Sequence, residues 1–382
     1  MGGLFFGPAG WSPERIEGLA QGNGKPAPAL VNTAANQPNN RTLVELLKLA
    51  GVEQTSAIVP SIMKQAADIS DPRIRSLVLN LLPTQPEFAL PLALSRTALA
   101  DVLDGLAAIQ HHVRARRVSV ALDRHDHALR RIWKKARGPL EFNVVPLLNR
   151  YPQAHHTVLL RSLYGKEVPP GDLPTRAHRM VVDVVSSWAL GRYMRTGEKM
   201  TRRPVQLFVR EESHKREPRI VMAEIGETVA ALLERHTIAW ARRQVIVNGM
   251  LAGRHVDAAT TPIAADTESI AVRQQPAEET ASPCIACGWC LDHCPTGLNP
   301  VGLYELSRKA SGRDTDQRVP LGLQTSSRES LFCVGCGLCS YVCPTRLPLM
   351  PQILQLQTLV ARTQEPAPPS DPAEPDDEEG AS

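Results

Sequence analysis

The chain contains eight cysteines, and all of them fall between Cys284 and Cys343. They form two runs of the same shape. The first is PCIACGWCLDHCP, with Cys284, Cys287, Cys290 and Cys294 followed by Pro295. The second is FCVGCGLCSYVCP, with Cys333, Cys336, Cys339 and Cys343 followed by Pro344. No other feature restricts the fold as strongly. A disulfide framework belongs to short secreted chains. This chain has 382 residues, and its start, MGGLFFGPAGW, lacks the basic leader of a signal peptide. Clustered thiols here point to metal, in a chain long enough for two or three packed domains.

Both runs read Cys-x-x-Cys-x-x-Cys-x-x-x-Cys-Pro, the spacing of bacterial two-cluster ferredoxins. Three thiolates two residues apart wrap a tight loop around one iron–sulfide cube, and the loop's N–H groups then face the sulfurs. Gly288 and Gly337 follow the second Cys of each run, where a side chain would crowd the cluster. The fourth Cys is carried off by the next turn and ligates the other cluster. The expectation is two [4Fe–4S] clusters. One sits on Cys284, Cys287, Cys290 and Cys343, the other on Cys333, Cys336, Cys339 and Cys294. Structural zinc is the competing reading, but zinc takes ligands in pairs, commonly with a longer gap between them, and has no use for two triplets plus one. Between the runs Leu303, Leu306 and Ala310 recur at helical spacing from Pro300 onward, which favours a helical ferredoxin module over a compact β-type one.

Upstream, strands and helices alternate from about Ser76 to Leu147. SLVLNLL reads as a buried strand, RVSVALD and FNVVPL as two more, and HALRRIWKKA as a short helix. In TALADVLDGLAAIQ, Leu99, Val102, Leu103, Leu106 and Ile109 make an apolar helical stripe. This βαβαβ order predicts an open parallel sheet. A further helix (HHTVLLRSLYG) and a strand–helix unit (RMVVDVVSSWALGRYMRTG) follow. PVQLFVR, RIVMAEI, the helix TVAALLERH and QVIVNGML then predict a small β-rich domain. Residues 257–281 read as a polar linker, and 363–382, Pro-rich and acidic, as a disordered tail.

Several landmarks together resemble RnfC, a component of the Rnf electron-transport complex. They are LVLNLLPTQPE, RYPQ, YGKEVPPGDLP, the β-rich segment ending in VNGM, and SYVCPTRLPL in the second Cys run. The resemblance covers about residues 44 to 355. It implies a fold class of α/β plus α in three parts. These are a Rossmann-like, complex-I-flavoprotein-type α/β domain (44–200), a β-grasp, SLBB-like domain (201–256) and an α-helical two-cluster ferredoxin domain (282–355), after an N-terminal segment (1–43) that stands where the family has a fuller domain. It also implies electron transfer among NADH, ferredoxin and a membrane complex. Two departures bear on the nucleotide. The family's Gly-rich loop reads GVEQTSAIVPS here, with Gly51 its only glycine. Its Gly-Gly-Glu-Lys run after YPQ is replaced by Ala154, His155, His156 and Thr157. Glycines let amides approach phosphate, and Lys brings charge. FMN and NADH are therefore not expected.

The remaining features exclude more than they assign. No stretch approaches the roughly 18 apolar residues of a membrane span, so the expected place is the cytoplasm, or the inner face of the membrane through partners. A net charge of +4 is too small to suggest a dedicated nucleic-acid binder. The basic stretch from Arg114 to Arg137 has no interleaved aromatics for stacking. It reads as a solvated face or as a docking surface for an acidic carrier such as ferredoxin or flavodoxin. Neighbouring histidines such as His111 and His112, or His155 and His156, do not share a helix face and make a poor metal pair. No Ser–His–Asp or paired-carboxylate site is visible. The leading expectation is an iron–sulfur relay subunit working with membrane subunits of an Rnf-type complex. The alternatives are a complete FMN-dependent NADH dehydrogenase and a structural iron–sulfur scaffold.

Overall fold

SLVLN is buried at all five positions, as a strand with neighbours on both edges and helices on both faces must be. In the computed structural model this strand, β1 (Ser76–Asn80), lies between β2 (Arg117–Asp123) and β4 (Arg179–Asp183), with β3 (Asn143–Leu147) at the edge beside β2. All three pairings are parallel; Leu77 stands opposite Val118 on one side and Met180 on the other. Pro146, which has no N–H to give a ladder, sits on the edge strand. The described residues are 16–19, 40–69, 74–86, 88–136, 140–209, 218–274, 281–312 and 324–364. They fall into two units, one ending at Thr280 and the other beginning at Ala281.

Around this sheet the first unit carries α1 (Asn40–Ala50), α2 (Ile62–Asp68), α3 (Leu90–Thr97), α4 (Leu99–Val113), α5 (His127–Lys135), α6 (His156–Tyr164) and α7 (Val184–Thr196). The apolar stripe of α4 is buried at Val102, Leu103, Leu106 and Ile109, and Leu99 packs against the same core. Helices α4 and α7 meet backbone to backbone at two glycines. A Cβ on Gly105 would stand 1.8 Å from the Ser187 carbonyl oxygen, and one on Gly191 1.8 Å from that of Asp101.

A second sheet completes this unit. Strands β5 (Arg202–Val209), β6 (Arg219–Glu224), β7 (Arg243–Val247), β8 (Arg254–Val256) and β9 (Ser269–Gln274) run in the order β6-β5-β9-β7-β8. Only β5 and β9 pair in parallel. Helix α8 (Val229–Arg235) covers the sheet with Leu232 and Leu233, which pack among Val205, Val247, Ile270 and Val272. This corrects the reading of 257–281 as a linker. Its polar composition hides a short buried run at 269–272, enough for a strand flanked on both edges. The two sheets are joined by buried polar bonds. Gln206 Oε1 accepts from the Ala89 amide (2.8 Å), Thr84 Oγ1 donates to Glu268 (2.9 Å), and Arg203 Nη1 donates to the Thr55 carbonyl (3.2 Å).

The second unit is built on helices. They are α9 (Trp289–Asp292), α10 (Pro300–Ser311), α11 (Gln324–Ser327), α12 (Leu338–Val342) and α13 (Leu349–Gln364). Leu303 and Tyr304 of α10 pack against Ile353, Leu356 and Val360 of α13. Helix α13 thus carries the module past residue 355, where the sequence reading ended it. It takes in Thr363 and Gln364; the rest of the acidic tail lies outside the described residues.

Candidate functional site

The two cysteine runs fold as copies of one local structure. In each, the residue between the first two cysteines that lies next to the second, Ala286 or Gly335, is left-handed (φ 54° and 62°). The glycine after the second cysteine is left-handed too, Gly288 at φ 77° and Gly337 at 75°. Each glycine caps a short helix, α9 or α12, that carries the third cysteine. Left-handed residues turn successive N–H groups toward the inside of a loop, where they can face anionic sulfur. The Ala286 amide already lies 3.4 Å from Cys284 Sγ and donates to it.

The frame around the runs is apolar and tied by side chains. Gln357 of α13 donates its amide to the carbonyls of Ser330, Leu331 and Cys333, at 3.2 to 3.3 Å, and so fixes the entry into the second run. Ser340 Oγ accepts from the Met350 amide at the start of α13 (2.9 Å).

Cys294, the last cysteine of the first run, acts on three thiols of the second. Burial, more than any other cause, pushes Cys333 up, Cys336 up to about 11 and Cys339 up to about 12, and the charge of Cys294 adds to the rise in all three. Cys290 is raised by burial and by Cys287. Cys343 goes the other way. Burial still works upward there, but bonds from the Thr345 hydroxyl and from the amides of Leu347, Thr345 and Arg346 outweigh it. Crowded thiols that resist ionisation in water give up their protons to a metal centre. Among the described residues no three of His, Cys, Asp and Glu stand close enough to hold a single ion. A four-iron cube is held at its corners, with its ligands spread wider, and the eight thiols on two inward-turned loops fit that group.

The first unit has a second place to examine. In an open parallel sheet, ligands bind at the carboxyl ends of the strands where the order reverses, here between β1 and β4. Loop 53–59 fills that crevice. Thr55 Oγ1 donates to Asp183 (2.7 Å), which also takes the Val185 and Ser186 amides at the start of α7 (2.9 Å each). The Ile58 and Val59 amides both close on Ser56 Oγ (3.2 Å). The Thr157 amide at the start of α6 closes on His155 Nδ1 (3.4 Å). His155 is pushed down to about 3 by burial and then by His156; His156, beside the Ile58 backbone, is pushed down to about 4, mainly by burial. The amides of Ile58, Val59 and Thr157 thus close on the chain's own side chains.

Fold and site together define a class: a dicluster iron–sulfur protein with a complex-I-type α/β domain ahead of its clusters. Residues 283–347 match the 4Fe-4S dicluster domain, and residues 50–191 match the Nuo51 FMN-binding domain. The second match leaves the expectation that FMN is absent without support. The RnfC component of the ion-translocating oxidoreductase complex of Erwinia tasmaniensis is 28% identical over 251 residues, covering 64% of this chain and 30% of the relative. Its namesake in Vibrio cholerae is 26% identical over 291 residues, covering 74% and 36%. The chain is similar to these RnfC relatives and spans about a third of their length. An NAD+-reducing [NiFe]-hydrogenase in its H2-reduced state is similar in fold, with a TM-score of 0.52 at 13% identity over 88% of this chain and 65% of that one.

Sequence reasoning singled out the eight cysteines but not the side chains around them. Gln357 carries no sequence signal. Thr296 and Thr345 do carry one, because each follows a Cys-Pro pair in CPTGL and CPTRL.

Proposed function

We propose that this chain is the iron–sulfur electron-transfer subunit of an Rnf-type complex, relaying single electrons between a soluble carrier and membrane-bound subunits. The observation that carries the reading is the duplicated cysteine loop, with Cys294 close enough to Cys333, Cys336 and Cys339 to raise all three. That closeness supports the interchanged ligand sets: Cys333, Cys336, Cys339 and Cys294 for one [4Fe–4S] cluster, Cys284, Cys287, Cys290 and Cys343 for the other. Held by these cysteines, a cluster would supply uptake and return of one electron, with no bond formed or broken in the protein. The chain's own part is to hold the sulfurs, exclude water with the core around Leu303 and Ile353, and aim N–H groups at the thiolates.

The second sheet has the strand order and the single parallel pair of a β-grasp fold, which supports an SLBB-like domain at about 201–274. Exposed Arg116, Arg117 and Lys134 border a cavity of about 730 Å³ beside β3, which supports docking of an acidic carrier such as ferredoxin or flavodoxin. No helix among the described residues is long and apolar enough to cross a membrane. A peripheral seat on the cytoplasmic face, through membrane subunits, accords with that. A second reading, a flavin-bearing NADH dehydrogenase, is favoured by the match of 50–191 to an FMN-binding domain.

Anaerobic purification with iron, acid-labile sulfide, flavin and EPR measurements decides among these. The relay predicts about eight irons and eight sulfides per chain, with EPR signals on dithionite reduction. Stoichiometric FMN transfers the conclusion to the second reading. Zinc without sulfide refutes both, and clusters that stay EPR-silent at every accessible potential leave only a structural scaffold.

A further inference from the structure

The likeness of the two runs extends past their last cysteines. Cys294-Pro-Thr-Gly-Leu298 and Cys343-Pro-Thr-Arg-Leu347 form the same turn. The amide three residues on closes back on the cysteine carbonyl, Gly297 to Cys294 at 3.2 Å and Arg346 to Cys343 at 3.1 Å. Gly297 and Arg346 are both left-handed, at φ 70° and 57°. The leucine after each is buried and anchors the turn in the core. Arginine rarely adopts that conformation, so the turn is held at Arg346 against local preference.

What this turn delivers is a hydroxyl. Thr296 Oγ1 lies 3.5 Å from Cys294 Sγ, and Thr345 Oγ1 lies 3.3 Å from Cys343 Sγ. The Leu298 amide donates to the same Cys294 sulfur at 3.3 Å, and the Leu347 amide acts on Cys343 in the same way. A metal-bound thiolate has no proton to give, so in each Thr–Cys pair the hydroxyl is the donor in the loaded protein. The added electron makes a cluster more negative, and a donor to its ligand sulfur favours that state.

We propose that Thr296 and Thr345 are a matched pair of redox-tuning residues, each raising the reduction potential of the cluster that its neighbouring cysteine ligates. The inference rests on the electron-transfer reading above and adds the side chains that set its driving force.

The test uses Thr296→Val and Thr345→Val in the full chain, with Thr→Ser at each position as the conservative variant. Iron and sulfide are counted first; a mediated dithionite titration followed by EPR then gives the potentials. Each Val variant should keep its clusters. At a fixed potential, the reduced-to-oxidised ratio of one cluster should fall about fivefold, which is about 40 mV at 59 mV per tenfold. The Ser variants should follow the parent curve. Should buried Thr345→Val lose iron, half-buried Thr296→Val decides the question. Unshifted curves in iron-replete Val variants overturn the tuning role and leave the relay intact. A parent protein without sulfide overturns the relay itself.

Discussion

Replacing Cys294 by Ala separates an interchanged ligand set from two self-contained runs. Cys294 belongs to the first run in sequence, yet its charge is felt by Cys333, Cys336 and Cys339 of the second. If it completes their cluster, Cys294→Ala and Cys336→Ala damage the same cube. Each single variant should then fall from about eight irons to about four, and the Cys294→Ala/Cys336→Ala double variant should still hold about four. Cys287→Ala/Cys336→Ala strikes both cubes and should hold almost none. The difference between the doubles is a whole cluster, far larger than the scatter of a colorimetric assay for iron and sulfide. Alanine is used because a serine oxygen can stand in as a ligand. EPR of the surviving cluster shows whether it keeps its native signal. A Cys294→Ala/Cys336→Ala protein that loses all its iron, while both single variants keep half, would show that each run closes on itself.

Two further predictions concern the first unit. Gly105→Ala should destabilise the protein by about 2 kcal/mol, read as a lower urea midpoint. The new Cβ would start 1.8 Å from the backbone oxygen of Ser187, which cannot rotate away. Overpacking of this kind costs about 1–3 kcal/mol, and backbone contact argues for the upper end; the better helix propensity of Ala returns about 1. An unchanged or raised midpoint refutes the close crossing. The half-buried histidines His155 and His156 give a pH dependence of definite sign. His155 and His156 have folded values of about 3 and about 4, below the ordinary 6.5. Above pH 6.5 neither the folded nor the unfolded chain holds these protons, and their stability contribution is complete and flat. Below 6.5 the unfolded chain takes up both and the folded chain does not, so stability falls by about 1.4 kcal/mol per pH unit for each histidine, down to about pH 4. His155→Asn/His156→Gln, which keeps a cap at α6, should show a shallower loss of urea midpoint between pH 6.5 and 5. Equal slopes in variant and parent would place the rings in water.

The parallel sheet was legible because its inner strands carry short apolar runs, Leu77 to Leu79 in β1 and Val120 to Leu122 in β2, too short for a helix. Strand β9 was not, since three apolar residues amid Ser, Thr, Asp and Glu look like a linker until β5 and β7 take up their edges. Gly105 and Gly191 argue against a helix when read locally. Only the approach of α4 to α7 gives them a purpose. The two thiol runs were visible as runs, because ligand spacing is a local property of the chain. The flavin question was not settled by counting glycines. GVEQTSAIVPS has Gly51 as its only glycine, but residues 50–191 still match an FMN-binding domain, and the turn of the Ile58, Val59 and Thr157 amides onto side chains is a property of the folded chain.

A duplicated ligand loop in unequal surroundings also bears on direction. Cys284 and Cys287 are exposed, and beside them Ile285, Trp289 and Leu291 stand out from the surface. Cys339 is buried, and Cys333 and Cys336 are half-covered under α13. Cluster potential depends on hydrogen bonds to sulfur and on exposure to solvent. The threonine on the last cysteine is common to both copies. The covering is not, and it gives an electron entering at one cluster an energetic reason to prefer, or to leave for, the other.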